Sequence, residues 1–391
     1  MTNATALEAL SKFRQEYDRE PDGLWSAPGR VNLIGEHTDY NEGFVLPFAI
    51  NRRTYAAVAL RQDQMICVAS SFSADKFQVS LDAIGPNQNY GWAAYPLGVA
   101  FAVKLFAAHF GTDSKILGAD IYITSDVPVG AGLSSSAAIE CAVGLALNEL
   151  WGCQLTRNQL AEAGQKGENQ IVGAPTGIMD QTASLLGRLD QGVFLDCRSL
   201  EAKSVNLGFA AAGLELLVID TQVAHRLVDG GYAERRAACE SGASQMGVNS
   251  LRDLTEADLP RAKEILDDVT FRRVRHVVTE NARVLRTIET LDSQGPRGIG
   301  QLMHDSHVSM RDDFEISVDE LDTAVETAVR HGAVGARMTG GGFGGAAIAL
   351  VPVEKISEVS LSIIAEFEAL GYKNPNIFTV SAAPGAQREA V

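Results

Sequence analysis

Four adjacent residues place a carboxylate, an imidazole, a hydroxyl and a second carboxylate within one short turn: Glu36, His37, Thr38 and Asp39. The turn follows a short apolar, strand-like segment and the backbone-permissive Gly35, and a single basic residue, Arg30, stands beside it. Donors and acceptors this close together suit a neutral polyol, because each sugar hydroxyl both donates and accepts a hydrogen bond. The alternative is a polar surface turn whose side chains bond their own backbone.

A second motif, rich in glycine and serine, covers residues 127–138 and reads Val-Pro-Val-Gly-Ala-Gly-Leu-Ser-Ser-Ser-Ala-Ala. Gly130 and Gly132 allow the backbone to bend so that amide groups point into a concavity. A helix beginning near Ser136 aims its unpaired N–H groups and its positive dipole end at the same place, which favours an anion such as phosphate. The loop is neither a Walker A loop nor a G-x-G-x-x-G loop. The alternative is a simple helix N-cap and turn.

Two acidic residues follow this loop at positions where they could do chemistry. Glu168 lies toward the end of a predicted helix, and Asp180 follows a bend rich in glycine and proline. One carboxylate, one serine hydroxyl and nucleotide phosphates form a sufficient ligand set for Mg²⁺. For a random acidic residue, a solvated or capping role is far commoner.

A third glycine-rich stretch covers residues 336–345, before an apolar strand. So many glycines predict either a close approach of two chain segments or a glycine-rich hairpin turn.

Together these motifs resemble those of the family of galactokinases, homoserine kinases, mevalonate kinases and phosphomevalonate kinases. The first motif is similar to the galactokinase signature, and the likeness extends over almost the whole chain. The resemblance implies an ATP-dependent kinase that phosphorylates D-galactose at the anomeric hydroxyl to give α-D-galactose 1-phosphate, in galactose catabolism by the Leloir pathway. It also implies that the third motif packs against the phosphate loop.

The fold that the resemblance implies is α+β, with two domains and the active site in the cleft between them. We place the N-terminal domain at residues 1–207, with the sugar-binding turn, the phosphate loop and the catalytic aspartate. The C-terminal domain then covers residues 208–391 and contains the third motif.

The resemblance also assigns roles to individual residues of this sequence. Asp180 matches the catalytic aspartate, which takes or orients the proton of the attacking hydroxyl, and Arg30 offsets charge on the transferring phosphoryl group. Ser136 and Glu168 match the magnesium ligands. The sugar is expected to contact Glu36, His37, Thr38, Asp39, Gly177 and Tyr232. ATP is expected to contact Gly130, Ala131, Gly132, Leu133, Ser134, Ser135 and Ser136.

Three alternatives remain open at this stage. A kinase for a related sugar, such as N-acetylgalactosamine or L-arabinose, shares the ATP loop. A non-catalytic, galactose-sensing regulator shares the fold, although the intact serine run and the presence of Arg30, Glu168 and Asp180 argue against it. A mevalonate-type kinase is disfavoured, because its substrate is a branched acid and does not need a turn suited to a polyol.

Length and composition restrict the partners. A chain of 391 residues favours two domains. The net charge of -16 argues against nucleic acid or an anionic membrane as a partner. Five cysteines without a CxxC pair predict neither a zinc site nor a disulfide framework, and they fit a reducing cytoplasm. With no signal peptide or membrane span evident, we expect a cytoplasmic monomer that binds galactose and ATP.

The elements that position these residues follow from hydrophobic periodicity. Helices are predicted near residues 137–150, 157–170 and 272–291, and strands near residues 54–60 and 119–127. The helix at 272–291 is strongly basic on one face, and we expect its arginines to be solvated.

Overall fold

The computed structural model describes residues 4–112, 116–223 and 228–390. The strands in these ranges are β1 (Gly23–Asn32), β2 (Phe44–Val45), β3 (Pro47–Leu60), β4 (Met65–Ser70), β5 (Phe77–Ser80), β6 (Ala119–Ser125), β7 (Gln191–Asp196), β8 (Ala202–Asn206), β9 (Leu214–Asp220), β10 (Gly335–Thr339), β11 (Ala346–Pro352), β12 (Asn376–Val380) and β13 (Gln387–Arg388). The helices are α1 (Ala4–Tyr17), α2 (Ala94–Phe110), α3 (Ser135–Trp151), α4 (Arg157–Gly167), α5 (Met179–Leu186), α6 (Val228–Met246), α7 (Leu259–Ile265), α8 (Asp268–Gln294), α9 (Gly300–Ser309), α10 (Asp319–Arg330) and α11 (Ile356–Leu370). The predicted elements near 54–60, 119–127, 137–150, 157–170 and 272–291 are confirmed.

The first half is built on a six-stranded sheet with the order β13-β1-β3-β6-β4-β5. Its pairs are antiparallel except β4 and β6, which are parallel. Alternate residues of a strand face opposite sides, so Ala56 packs with the core beneath α2, α3 and α4, whereas Ala57 packs against α1. The helices thereby fix the ends of β1 and β6, from which the sugar turn and the phosphate loop begin.

The second half is built on an antiparallel sheet with the order β10-β11-β9-β12. One face of β9, including Leu217, is covered by helices of this half. The opposite face, including Leu216 and Val218, packs into a core shared with Val31 of β1 and Phe48 of β3. This shared core joins the two sheets behind the site.

The connection between the halves is short. The chain leaves a three-stranded sheet, β2-β7-β8, at Asn206 and enters the second large sheet at Leu214. The boundary predicted between residues 207 and 208 falls in this connection, and the division into two domains stays a prediction. The short strand β13 returns to pair with Trp25 and Ser26 of β1.

Among the described residues, one helical stretch, 91–110, has the length and apolar composition of a membrane span. Just over half of it is buried within the structure. Gly98 in this stretch lies directly against Gly167 of α4, a contact between two packed helices.

The basic face of α8 is less solvated than its sequence predicts. Arg273 and Arg283 are only 3% and 8% exposed. Arg273 pairs with Glu315, and Arg283 donates to Glu280 at 2.8 Å. The prediction of a solvated face is therefore wrong for these two arginines. Both are buried and paired with an acidic side chain, Arg283 with the buried Glu280 and Arg273 with the exposed Glu315.

Candidate active site

The sugar turn, residues 33–43, connects β1 to β2 and is closed by its own backbone. Thr38 donates its hydroxyl hydrogen toward the carbonyl oxygens of Gly35, at 2.9 Å, and Phe44, at 2.6 Å. Gly35 has a φ of 101°, and a Cβ there would lie 2.7 Å from the Phe44 oxygen. Only glycine fits this close approach. Thr38 is fully buried and serves the turn.

Helix α8 holds this turn from the second half of the chain. The Gly35 amide donates to Glu280 at 2.9 Å, His276 Nε2 donates to the Glu36 carbonyl at 3.1 Å, and the Phe44 amide donates to Asn281 at 2.9 Å. Burial lowers the pKa of His276 to about 4, so the ring is neutral at pH 7. Each contact joins two residues that are about 240 positions apart in the chain. Nothing in the sequence of the turn indicates these partners.

Glu280 is charged despite complete burial. Burial raises the pKa of its carboxyl, but the nearby Arg283 and Arg337 guanidinium groups outweigh burial and hold it at about 2. Ser306 and Arg283 donate to this carboxylate at 2.7 and 2.8 Å. The sugar turn is therefore bonded to a paired, buried ion rather than to a lone charge.

Glu36 and His37 join the turn to the third glycine-rich stretch. Glu36 Oε1 accepts hydrogen bonds from Thr339 Oγ1 at 3.0 Å and from the Gly340 amide at 2.8 Å. His37 Nε2 donates to the Gly341 carbonyl at 3.1 Å, which leaves Nδ1 to accept from Tyr40 Oη at 2.8 Å. Burial lowers the pKa of His37 to about 3, so this ring is neutral.

Asp39 faces Gly177 across a very short gap. A Cβ at position 177 would lie 1.9 Å from Asp39 Oδ2, so only glycine leaves room for the carboxylate. Asp39 Oδ1 accepts from the Tyr40 amide at 2.9 Å. Burial, followed by the negative charge of Asp180, raises the pKa of Asp39 to about 6. Among the described residues, no basic side chain forms an ion pair with Asp39.

Asp180, at the first turn of α5, is paired with Arg30 of β1. Arg30 Nε donates to Oδ1 at 2.8 Å and Nη2 donates to Oδ2 at 2.9 Å, a bidentate arrangement. Ser134 of the phosphate loop also donates to Asp180. The amide of Arg30 donates to the Leu133 carbonyl at 3.0 Å. Asp180 therefore joins β1, α5 and the phosphate loop at one point.

These side chains surround a cavity of about 180 Å³. This volume is below the roughly 300 to 1,000 Å³ of sites for drug-sized molecules, and it suits a smaller ligand. Tyr232 of α6 closes one side, with its ring 5.2 Å from that of His37. The lining residues are Arg30, Glu36, His37, Asp39, Thr176, Gly177, Met179, Asp180, Tyr232, Gly340 and Gly341. Of the predicted sugar-binding residues, only Thr38 does not line it.

The phosphate loop lies beside this cavity and is far more open. Val129 is 78% exposed, and Gly130 and Gly132 have φ values of 81° and 66°. Ala131 and Leu133 are buried, so their side chains anchor the loop in the shared core. Ser135 and Ser136 begin α3 and are partly exposed. This is a bent loop followed by a helix N-terminus, which favours anions.

The third glycine-rich stretch meets the phosphate loop as expected. A Cβ on Gly132 would lie 3.5 Å from the Thr339 oxygen, and one on Gly340 would lie 3.5 Å from Gly132 Cα. The stretch thus packs against the phosphate loop, but at ordinary contact distance. It is also a glycine-rich hairpin turn, because residues 340–345 connect the antiparallel strands β10 and β11. Within it, Gly340 has a φ of 85°, and a Cβ on Gly342 would lie 2.5 Å from the Ile316 oxygen.

Glu168 lies at the C-terminal end of α4, where the helix widens into a π-helical turn at Glu168–Val172. Its Oε2 accepts from Thr176 Oγ1 at 2.8 Å and from Gln181 Nε2 at 2.9 Å. Within the described part of the chain, no hydrogen bond reaches Oε1. Burial raises the pKa of Glu168 to about 6. The carboxylate is thus oriented by two donors and keeps one oxygen for a ligand.

A second buried acid, Glu140 of α3, lies behind Glu168. The amide of Gln181 donates to Glu140 Oε2 at 2.8 Å. Burial, followed by the charge of Glu168, raises the pKa of Glu140 well above its usual range. Ser136 precedes Glu140 by four residues, so the two side chains share one face of α3. The Ser136 hydroxyl is therefore on the side of α3 that faces Glu168.

Two buried polar atoms of the first half of the chain lie outside this cavity. Ser70 Oγ, at the end of β4, and Trp92 Nε1, just before α2, have no hydrogen-bond partner among the described residues. The ring of the partly exposed Phe72 packs edge-on to Trp92, with centroids 5.1 Å apart. The unpaired indole N–H beside the exposed ring of Phe72 suits a flat, polar ring system.

Comparisons with known proteins agree with this geometry. A family model described as the galactokinase galactose-binding signature matches residues 11–60, and models of the GHMP kinase N-terminal and C-terminal domains match residues 95–188 and 287–369. The chain is 46% identical to a galactokinase of Streptomyces coelicolor, over 99% of this chain and 100% of that one. It is 45% identical to a galactokinase of Streptomyces lividans, over 94% and 92%.

Solved structures give the same result. Lactococcus lactis galactokinase, solved in complex with galactose, superposes with a TM-score of 0.91 at 30% identity, covering 98% of this chain and all of that one. Methanococcus jannaschii mevalonate kinase shares the fold, with a TM-score of 0.64 at 20% identity over 92% and 98% of the two chains. The α+β fold predicted from the motifs is confirmed, and the chain belongs to the galactokinase family.

Proposed function

We propose that this chain transfers the γ-phosphoryl group of ATP to the anomeric hydroxyl of D-galactose and releases α-D-galactose 1-phosphate and ADP, in galactose catabolism. The observation that carries the proposal is the small polar cavity in which the sugar turn meets the Asp180–Arg30 pair beside the phosphate loop. The family relationship supports galactose rather than another acceptor. No observation favours the kinases for related sugars or the regulator.

The sugar binds through carboxylates that still have acceptor capacity. Each carboxylate oxygen has two lone-pair sites, so Glu36 and Asp39 accept hydrogen bonds from sugar hydroxyls in addition to their protein bonds. Both ring nitrogens of His37 are already used within the protein, so it contacts the sugar through its ring. Gly177 and Tyr232 provide close contacts on either side, and Thr38 keeps the turn closed.

The phosphates of ATP bind across residues 130–136, where bent backbone and the N-terminus of α3 present N–H groups. The adenine ring binds beside Phe72 and Trp92, where the Trp92 N–H and the Ser70 hydroxyl acquire partners.

The free Oε1 of Glu168 and the partly exposed hydroxyl of Ser136 fit Mg²⁺, which prefers oxygen ligands. When bound with ATP, Mg²⁺ neutralises charge on the phosphates. Among the described residues, no group of three His, Cys, Asp or Glu side chains could hold a metal alone. The two protein oxygens thus serve together with the nucleotide.

In the transfer itself, Asp180 accepts or orients the proton of the anomeric hydroxyl. Arg30 holds the carboxylate by two hydrogen bonds and has further N–H groups for the transferring phosphoryl group. The hydrogen bond from Ser134 holds Asp180 against the phosphate loop. The protein acts mainly by positioning and charge neutralisation, as a loose phosphoryl-transfer transition state requires. We propose that it does so as a monomer in the cytoplasm.

A coupled ADP-release assay with a panel of acceptors tests this proposal. The panel contains galactose, glucose, N-acetylgalactosamine, L-arabinose, mevalonate and homoserine, and NMR of the product identifies the phosphorylated position. We expect the highest kcat/KM with galactose and a phosphate on the α-anomeric oxygen. A higher kcat/KM for another acceptor would change the substrate, and galactose binding without ADP release would indicate the regulator.

A further inference from the structure

Two fully buried polar side chains beside Glu168 are not explained by ligand contact. Gln181 is 0% exposed on α5, and Glu140 is 1% exposed on α3. Each keeps one side-chain oxygen without a hydrogen-bond partner among the described residues. Buried polar groups are costly unless their bonds are satisfied. An apolar pair of the same size would fill this space without that cost, so the polar pair requires a function.

The amide of Gln181 connects the two carboxylates. Its nitrogen carries two hydrogens, and both are used, at 2.8 Å to Glu140 Oε2 and at 2.9 Å to Glu168 Oε2. This pattern orients the amide, because Glu168 Oε2 accepts its hydrogen bonds and a flipped amide would set an oxygen against it. Thr176 donates to the same oxygen of Glu168 at 2.8 Å. Two donors thus occupy Oε2, and Oε1 is left without a hydrogen bond among the described residues.

Gln181 also follows Asp180 directly on α5. Successive residues of a helix point about 100° apart, so one side chain faces the cavity while the next faces the core. The same turn of helix therefore fixes the position of both acids in the site.

We propose that Gln181 is a positioning residue for the metal ligand: its amide, anchored on Glu140, holds Glu168 so that Oε1 is presented to the Mg²⁺ that accompanies ATP. This inference rests on the proposed function, because it takes Glu168 as a metal ligand. Partners that orient a metal ligand from behind commonly change metal affinity by about 10 to 100-fold when removed.

The test is Mn²⁺ binding to the full chain in the presence of ADP, followed by electron paramagnetic resonance. Gln181→Met keeps the size of the side chain and removes both donors, and we expect Mn²⁺ affinity to fall by about tenfold or more. Galactose affinity, measured by calorimetry, is expected to stay within about twofold of wild type, since Gln181 does not line the cavity. In activity assays, kcat at low Mg²⁺ falls while KM for galactose is retained.

Ser184→Ala is the matched control. Ser184 lies on the same helix, is 1% exposed and donates to the Pro28 carbonyl at 2.7 Å. Its loss removes a buried hydrogen bond from α5 without touching Glu168, so it lowers the melting temperature and leaves Mn²⁺ affinity unchanged. If Gln181→Met and Ser184→Ala weaken Mn²⁺ equally, the effect is general loosening of α5 and the inference is wrong.

Two further variants keep the inference falsifiable. If Gln181→Met does not fold, Glu140→Met removes the anchor of the amide instead, and wild-type Mn²⁺ affinity in that variant overturns the inference. Glu168→Gln tests the metal site separately from the positioning role of Gln181. Weaker Mn²⁺ binding in Glu168→Gln with unchanged binding in Gln181→Met refutes only the positioning role, whereas unchanged binding in Glu168→Gln refutes the proposed metal site itself.

Discussion

The sugar turn and the phosphate loop lie side by side, yet they are held in opposite ways. Residues 36–38 of the turn are between 0% and 5% exposed, and α8 and the third glycine-rich stretch bond the turn from the other half of the chain. In the phosphate loop, Val129 is 78% exposed, and a Cβ on Gly130 would meet nothing within 4 Å.

This difference follows from the two ligands. A neutral sugar offers hydroxyl groups and no charge, so its site gains affinity from acceptors that are already oriented before binding. The triphosphate brings its own strong charge, and an open loop of backbone amides with a helix N-terminus is sufficient to attract it. Asp180 lies where the two regions meet, since it lines the sugar cavity and accepts from Ser134.

The largest effect is expected at this meeting point. Asp180→Asn keeps the size of the side chain and one acceptor, but it removes the base. We expect single-turnover phosphorylation to slow by at least about a hundredfold, because general-base assistance contributes about 10² to 10⁴ in rate. Galactose affinity by calorimetry is expected to be retained. If affinity fell in step with turnover, Asp180 would be an orienting group for the sugar, and unaltered turnover would exclude both roles.

Removal of the α8 contact tests how the sugar turn is held. Glu280→Ala leaves Arg283 buried without its partner, and breaking such a pair costs about 3 to 5 kcal/mol of unfolding free energy. Because the folded pKa of Glu280, about 2, is below its ordinary value of 4.5, its stabilisation is complete above pH 4.5 and is lost as pH falls toward 2. Urea unfolding at pH 7 and pH 3 measures this. Equal stability of wild type and variant at pH 7 would show that the Glu280 contact does not stabilise the fold.

A smaller effect is expected when a methyl group is added to the wall of the sugar cavity. Gly177→Ala places a methyl group where Asp39 Oδ2 now lies, 1.9 Å from the new Cβ, so Asp39 must move. We expect KM for galactose to rise by about tenfold, the equivalent of one lost hydrogen bond of about 1.4 kcal/mol, with ATP affinity unchanged. Gly85→Ala, where the nearest atom is 3.9 Å away, is the control. A wild-type KM in Gly177→Ala would remove Asp39 from sugar binding.

The smallest effect is a pH dependence. Asp39 has a folded pKa of about 6, above its ordinary value of 3.8, so it becomes protonated as pH falls through 6 and can no longer accept with both oxygens. We expect kcat/KM for galactose to fall by about tenfold per pH unit below 6, the slope for one ionisation. Glu168 titrates in the same range, but its contribution depends on Mg²⁺ concentration. A profile that is flat between pH 5 and 7 at saturating Mg²⁺ would contradict this role of Asp39.

The Asp39 carboxylate also lowers the stability of the fold, whereas the Glu280 carboxylate raises it. Because folding disfavours its ionised form, Asp39 destabilises the protein increasingly as pH rises from 3.8 to 6, and fully above that.

Local sequence predicted the parts of the site that are continuous in the chain. The sugar turn, the phosphate loop and most helices and strands were evident, because motif spacing and hydrophobic period are local properties. The contacts of His276 and Glu280 with the turn could not be predicted, since nothing in either segment specifies a partner about 240 residues away. The burial of Arg273 was missed for the same reason, because folding brings Glu315 to it. Arg283 has its partner Glu280 three residues earlier on the same helix, and what the local sequence could not show is that this pair is buried against the sugar turn.

The most direct test asks whether the sugar turn binds only galactose and the phosphate loop only ATP. It measures the affinity for both ligands by calorimetry in two variants, one in each region. Asp39→Ala leaves sugar hydroxyls without their acceptor, at about 1 to 3 kcal/mol per lost group. We expect galactose affinity to fall by about tenfold or more while ATP affinity stays within about twofold. Ser136→Ala is expected to show the reverse, with weaker MgATP binding and unchanged galactose binding. If Asp39→Ala bound galactose as wild type does, or if both variants lost both ligands, the separation of sugar turn and phosphate loop would be wrong.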